Sequence, residues 1–350
     1  MTVNGETPQQ RTARRAVLDH LLALIAGSPW AEALVLRGSM VMPAWVGPAA
    51  REPADLDWIV LPSRLVPVDE LDPYPYLPDL AAARQWPEAA DGAGGYEIWR
   101  HEEFDTRGLR VRLPPEGLAW VLEDEPEDEG PEETLRQLVT RHPHPAPGIT
   151  LHPDSVRTNG SWAYAYDDGR PGVRVALRWT AECGGDGGAA VEGEVTVDFA
   201  RDERLPEPPV RTAVPRGDGT GATTVRTASR ELSLAWKLLW LHADGTRARA
   251  KDLYDAVLLA ELCAHTLDPA LLHRVLAREP GHPGHPSHSD HPDHPGHPGH
   301  PGDPGTLRPA VPPADWDALR AAHPGIHGTA ADWLARLRTA LAATATAAPH

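Results

Sequence analysis

The sequence is poor in several things. It holds two cysteines, Cys183 and Cys263, far apart in the 350 residues. A disulfide framework or a Cys-rich zinc site is excluded by that count, and a reducing cytoplasm is expected. Phenylalanine occurs twice and methionine three times. No apolar run approaches the roughly 18 residues of a membrane span, so no membrane partner is expected. The first apolar stretch, AVLDHLLALIAG, carries Asp19 and His20 and lacks a small-residue cleavage site, unlike a signal peptide. Lysine is scarcest among the charged residues: only Lys237 and Lys251 stand among 33 basic residues. In so arginine-rich a chain, a surviving lysine is a candidate for a site that needs a compact ammonium rather than a planar guanidinium, with chance survival as the alternative.

What is abundant is negative charge, proline and glycine. The formal net charge is −17, and Gly (31) plus Pro (38) reach about a fifth of the chain, so part of it is loop or linker. That charge argues against tight, nonspecific binding of nucleic acid over the whole surface, though not against a local basic groove. Residues 123–133, EDEPEDEGPEE, hold eight carboxylates and read as a solvated loop or helix face.

Hydrophobic periodicity gives an α+β order. Residues 11–27 repeat at helical spacing, 33–36 (ALVL) reads as a buried strand ended by Gly38 and Ser39, and residues 40–46 read as a helix. A strand follows at 55–61, stopped by Pro62; residues 67–95 read as loop. Alternation predicts strands at 109–113, 161–166, 173–179 and 194–200, with a turn at 184–188 and loop over 201–225. Helices are expected at 231–242, 250–264, 269–278, 314–322 and 329–343. The domain reading is a sheet-containing domain at 1–215, a helical domain at 216–278, a linker at 279–313 and C-terminal helices at 314–350. In the linker, seven histidines recur at every third position from His282 to His300, mostly as HPG units. In extended chain, histidines at that spacing stand about 9 Å apart, too far for neighbours to share one ion without a bend. A flexible linker is the simpler reading, with weak Zn²⁺ or Ni²⁺ binding as the alternative.

The sharpest chemical signal is LRGS at 36–39 followed by ADLD at 54–57. Residues two apart on a strand share a face, so Asp55 and Asp57 project together and suit Mg²⁺. Gly38 and Ser39 sit where strand gives way to helix, where backbone N–H groups and a hydroxyl can hold phosphate. Alone, a D-x-D pair equally describes edge carboxylates and a helix cap. The ordered pairing gives it more weight.

This arrangement resembles the nucleotidyltransferase fold shared with DNA polymerase β. The resemblance implies a third carboxylate on a later strand, for which Asp198 in VTVDFAR is the candidate. Residues 231–259, ELSLAWKLLWLHADGTRARAKDLYDAVLL, further resemble the C-terminal helical signature of the AbiEii family, the nucleotidyltransferase toxins of type IV toxin–antitoxin systems. The family pattern is met by Glu231, Lys237, Lys251, Asp252 and Asp255, and Arg51 matches its basic position before the first Asp. Both lysines of the chain thus fall inside the family's motifs. The chain departs from the pattern in three places. Fifteen residues separate Ser39 from Asp55, Pro53 replaces a usual Ser or Thr, and Pro43 removes a hydrogen bond from the short helix.

The resemblance implies a nucleotidyltransferase-type mixed sheet followed by a helical domain, and transfer of an NMP from an NTP to an acceptor hydroxyl. Asp55, Asp57 and Asp198 would be the catalytic and Mg²⁺-binding carboxylates. Gly38, Ser39, Lys237, Lys251, Asp252 and Asp255 would serve the nucleotide. The last two, at i, i+3 on one helix, would either position Lys237 or act as a structural salt-bridge set. The acceptor implied is tRNA, with an antitoxin as protein partner, and Arg11, Arg14 and Arg15 would offer a basic track or simply a solvated face. An enzyme of the same fold serving a small-molecule or protein acceptor, and a non-catalytic scaffold, are the alternatives.

Overall fold

The structure, a computed structural model, describes residues 6–61, 65–67, 104–106, 109–111, 120–122, 130–162, 172–182, 190–200, 205–243, 249–276 and 311–345. The linker histidines, the 67–95 loop beyond residue 67, the 184–188 turn and most of the acidic run lie outside those residues. The chain divides into two compact units, Met1–Ser229 and Arg230–His350.

The first unit opens with helix α1, Pro8–Ala26. Thr7 caps it in a reciprocal box with Gln10: the Thr7 hydroxyl accepts from the Gln10 N–H while the Gln10 side chain accepts from the Thr7 N–H. Strand β1, Leu34–Arg37, runs into a single 3₁₀ turn at Gly38–Met40 and the short helix α2, Met42–Val46. Strand β2, Leu56–Val60, returns antiparallel to β1. Strands β3 (Leu65–Pro67), β4 (Phe104–Thr106), β5 (Leu109–Val111) and β6 (Trp120–Leu122) form a small separate sheet in the order β4-β5-β3-β6. Helix α3, Pro131–Arg141, follows, with Glu132 and Glu133 in its first turn. Its first turn thus holds the tail of the acidic run, where carboxylates favour the helix dipole. Strands β7 (Ile149–Leu151), β8 (Arg157–Trp162), β9 (Gly172–Ala181) and β10 (Val191–Ala200) come next, then β11 (Val210–Pro215) and β12 (Ala222–Thr227).

The large sheet has the order β11-β12-β1-β2-β10-β9-β7, with β8 also paired to β9. It is mixed: β1–β12 and β2–β10 are parallel, whereas β1–β2, β9–β10 and β11–β12 are antiparallel. Alternation along the central strands separates two faces. Leu34 and Leu36, Leu56 and Trp58, Val197 and Phe199 join the hydrophobic core with Val17, Leu18, Leu21, Leu22 and Ile25 of α1. Asp57 and Asp198 occupy the intervening positions and so stand on the other face.

The β11–β12 hairpin corrects the expectation of loop over 201–225. Proline and glycine are frequent in that stretch of sequence, yet VRTAVP and ATTVRT are rich in β-branched residues. The turn between them uses Gly219 at φ 73° and Gly221 at φ 127°, conformations that L side chains rarely adopt. The turn is tied to α1: Arg15 donates to the Pro215 carbonyl at 2.7 Å, and Asp19 accepts from the Gly217 N–H at 2.7 Å. Because β12 pairs with β1, the sheet-containing unit extends past the boundary expected after residue 215.

The second unit is helical: α4 (Arg230–Ala243), α5 (Ala250–Cys263), α6 (Pro269–Leu276), α7 (Pro313–Ala322) and α8 (Ala330–Ala345). Helices α4, α7 and α8 pack on α5, so the C-terminal helices join the 230–276 helices in one unit. An aromatic group fixes them. The Tyr254 and Trp333 rings lie 4.7 Å apart and Trp316 and Trp333 5.8 Å apart. Both indole N–H groups find carbonyls, of Gly328 at 3.0 Å and His327 at 2.7 Å, as buried tryptophans require. Arg336 lies over the Trp333 ring and forks onto Glu261 with two 2.9 Å hydrogen bonds. Among the described residues no helix is long and apolar enough to cross a membrane.

Candidate functional site

Strand register builds the site. Arg37 on β1 faces Asp57 on β2, Asp57 faces Asp198 on β10, and Asp198 faces Arg174 on β9. Cross-strand partners share a face, so these four charged residues form one row across four strands. Asp55 lies just before β2, two residues from Asp57. The carboxylates of Asp55, Asp57 and Asp198 each place an oxygen within 4.8 Å of the others. Asp55 and Asp57 are half-buried, while Asp198 is 1% exposed. The three carboxylates expected from the sequence are thus brought together.

The Gly-Ser turn lies against them. Gly38 has φ 77°, and a Cβ added to it would stand 2.3 Å from Oδ2 of Asp57. Glycine is therefore required twice, by backbone conformation and by the close approach of the carboxylate. The Ser39 hydroxyl, itself buried, donates to Oδ1 of Asp55 at 3.3 Å. Three carboxylates at one point repel one another unless a cation is near. Arg174 is such a cation: it forks onto Asp198, Nε to Oδ1 at 2.7 Å and Nη2 to Oδ2 at 2.5 Å. That hydrogen bonding, together with the fields of Asp198, Asp55 and Asp57, holds the guanidinium even more firmly protonated than usual. All-oxygen donors of this charge suit a hard divalent cation, so the trio could hold one.

The sequence offered no sign of Arg174. Arginine is common throughout the chain, and only the β9–β10 register reveals which one meets Asp198. Arg37, 1% exposed, escaped notice for the same reason. Arg51, 9% exposed, is held inside the fold.

In the helical unit, Lys237 on α4 donates to Oδ1 of Asp252 at 2.7 Å and stands 3.3 Å from Oδ2 of Asp255, both on α5. The three are 6%, 8% and 0% exposed. The i, i+3 spacing read from the sequence does put both aspartates on Lys237, and the ammonium also lies 5.0 Å from the centre of the Trp240 ring. Lys251, in the first turn of α5, is half-buried and stands apart from this set; among the described residues it has no ion-pair partner. Glu231 accepts from the Thr266 hydroxyl at 2.7 Å and from Arg230.

The basic track proposed for α1 is not one. Arg14 is 4% exposed and paired to Glu6 at 2.6 Å, and Arg15 is paired to Asp19 at 2.9 Å. Arg14 is spent on Glu6 just before the helix and Arg15 on Asp19 and the Pro215 carbonyl, so of the three only Arg11 is exposed.

An α+β chain whose mixed sheet gathers three carboxylates beside a Gly-Ser turn fits the class of nucleotidyltransferases. The chain belongs to the family described as nucleotidyl transferase AbiEii toxin of type IV toxin–antitoxin systems, whose profile matches residues 132–343. That span includes Asp198, Lys237, Lys251, Asp252 and Asp255; Gly38, Ser39, Asp55 and Asp57 lie before it. Among solved structures, the chain is similar to the nucleotidyltransferase toxin MenT4 from Mycobacterium tuberculosis H37Rv. The identity is 17%, the match covers 97% of this chain and 95% of that one, and the TM-score is 0.38. No curated protein sequence matches.

Proposed function

We propose that the protein is the Mg²⁺-dependent toxin of a type IV toxin–antitoxin pair, moving an NMP from an NTP to a hydroxyl of tRNA. The observation that carries this reading is the convergence of the Asp55, Asp57 and Asp198 carboxylates beside Gly38 and Ser39. When bound there, Mg²⁺ would neutralise phosphate charge and lower the barrier to deprotonating the acceptor. Asp55, Asp57 and Asp198 would be its ligands. Gly38 and Ser39 would hold the outer phosphates through the N–H groups of the 3₁₀ turn and the Ser39 hydroxyl. The acceptor oxygen forms its bond to the α-phosphorus as the bond to pyrophosphate breaks. The proton leaves the acceptor toward the carboxylate cluster, which Asp198 would complete either as a ligand or as the base.

Lys251, half-buried and without an ion-pair partner among the described residues, would be the nucleotide-directed cation of the helical unit, and the enclosed set of Lys237, Asp252 and Asp255 would hold its helices in place. An antitoxin partner follows from the family. A cytoplasmic setting fits a chain with few cysteines and no membrane-spanning helix among its described residues.

One observation favours a second reading. Because Arg14 and Arg15 are committed inside the fold and the net charge is −17, a small-molecule or protein hydroxyl competes with tRNA as acceptor. The test is incubation of the protein with Mg²⁺, each α-³²P-labelled NTP and total tRNA, beside an Asp55→Ala/Asp57→Ala control. Label on tRNA that vanishes in the control supports the first reading and identifies the nucleotide. NTP turnover without labelled tRNA moves the acceptor to the second. No nucleotide turnover with any NTP contradicts both.

A further inference from the structure

The fork between Arg174 and Asp198 has a consequence for how the site fills. Asp198 is 1% exposed, and both of its oxygens accept short, charge-assisted hydrogen bonds from one guanidinium. The same carboxylate has an oxygen within 4.8 Å of oxygens on Asp55 and Asp57. A divalent cation held by the trio would therefore share Asp198 with a fixed positive charge. Like charges on one carboxylate disfavour each other, and electron density drawn toward the fork is less available to a metal. With no metal bound, three carboxylates in one place need a counter-charge, and Arg174 supplies positive charge from the neighbouring strand. Its side chain is 33% exposed, so the guanidinium borders solvent at this edge of the site.

We infer that Arg174 is a built-in counter-ion at the carboxylate trio and competes with the divalent cation for Asp198. It is a positioning residue: it holds Asp198 aimed while the metal is absent, and it sets how tightly the metal binds. This rests on the metal-dependent reading above, and it opposes a simpler view in which Arg174 only orients Asp198 for the metal. The two views differ in sign. If Arg174 merely orients Asp198, its removal weakens metal binding. If it competes, its removal tightens metal binding.

The experiment is Mn²⁺ titration of the full chain, with free Mn²⁺ read by electron paramagnetic resonance. It compares wild type, Arg174→Gln, Arg174→Lys and the double variant Asp55→Asn/Asp57→Asn. Thermal melting of each, with and without Mn²⁺, reports whether the variant folds. The expected result is an apparent Kd about fivefold or more tighter in Arg174→Gln, the low end of ordinary coupling between ligands at linked sites. Its melting temperature should be lower without metal and rise more on adding it than in wild type. Arg174→Lys keeps the charge but loses the planar fork, and should fall between the two; it carries the test if Arg174→Gln does not fold. Wild-type binding that the double variant abolishes, together with unchanged or weaker binding in the Arg174 variants, overturns this inference and leaves the functional reading intact. Absent binding, or binding that the double variant leaves unaltered, overturns both.

Discussion

Each unit sets clustered carboxylates against a basic side chain, but they do so in different settings. In the sheet unit, Asp55 and Asp57 are half-exposed at the edge of a strand, and only Asp198 is closed off, against the Arg174 fork. In the helical unit, Lys237 and its two aspartates are all nearly shut away from solvent. The first arrangement leaves two carboxylates accessible to a further ligand. The second encloses its cation between two acids in fixed geometry. Similar charge groupings therefore have different consequences: loss of an acid from the first should cost chemistry, and loss of a charge from the second should cost folding.

The largest expected effect tests the first half of that contrast. Asp55→Asn or Asp57→Asn should lower nucleotidyl transfer by about 10³-fold or more, the scale of losing a group that serves developing charge. Their denaturant midpoints should stay at or slightly above wild type, because a like-charge contact is relieved. A midpoint well below wild type would break the comparison. Lys237→Met tests the second half. It leaves Asp252 and Asp255 buried beside each other, and should cost about 3 kcal/mol in urea unfolding. Further loss of Asp255 as Asn should return part of that, measured as a double-mutant cycle. An unaffected Lys237→Met protein would show that the helical set is not the enclosed one.

Gly38→Ala sharpens the picture of the sheet site with a smaller effect. The φ of 77° and the 2.3 Å approach to Asp57 both oppose a methyl group. A loss of about 1–2 kcal/mol in stability is expected, with a larger fall in activity as Asp57 is pushed aside. The smallest effect concerns Cys263 in the helical unit. Burial pushes its thiol up to about 12 from the usual value near 9, and the sulfur donates to the Leu259 carbonyl at 3.1 Å. Since the folded pKa is raised, its contribution to stability is full below about pH 9. It is lost as pH rises from there through about 12, because the unfolded thiol gives up its proton first. In a Cys183→Ser background, native protein at pH 8 should therefore resist iodoacetamide, and stability should decline across that alkaline window. Rapid labelling of folded protein would show the site to be open.

Much of this was legible in the sequence because the chemistry needs particular residues in particular order. Asp55 and Asp57 share a face by strand alternation alone, and Asp198 stood out as a charge in an apolar strand. Lys237 stood out because lysine is rare here, and the spacing of Asp252 and Asp255 on one helix made them natural partners for it. Other features depend on register, which a single strand does not display. Arg174 is one arginine among many until β9 is laid against β10. The β11–β12 hairpin was hidden by surrounding Pro and Gly, although the β-branched residues in both strands were a usable signal. Arg14 and Arg15 read as a solvated face or a basic track because helical spacing shows which residues line up, not which of them find carboxylates. Helix α3 was missed because its first turn continues an acidic run, which reads as solvated chain.

The central claim is that Asp55, Asp57 and Asp198 together hold the divalent cation that serves nucleotidyl transfer. The most direct measurement is anomalous diffraction from crystals grown with Mn²⁺ and a non-hydrolysable NTP analogue. The account predicts an anomalous peak in ligand contact with all three carboxylates, the phosphates against the Gly38–Ser39 turn, and the Arg174 fork loosened from Asp198. Well-ordered nucleotide with no Mn²⁺ at the three carboxylates, or Mn²⁺ bound elsewhere in the chain, would contradict it.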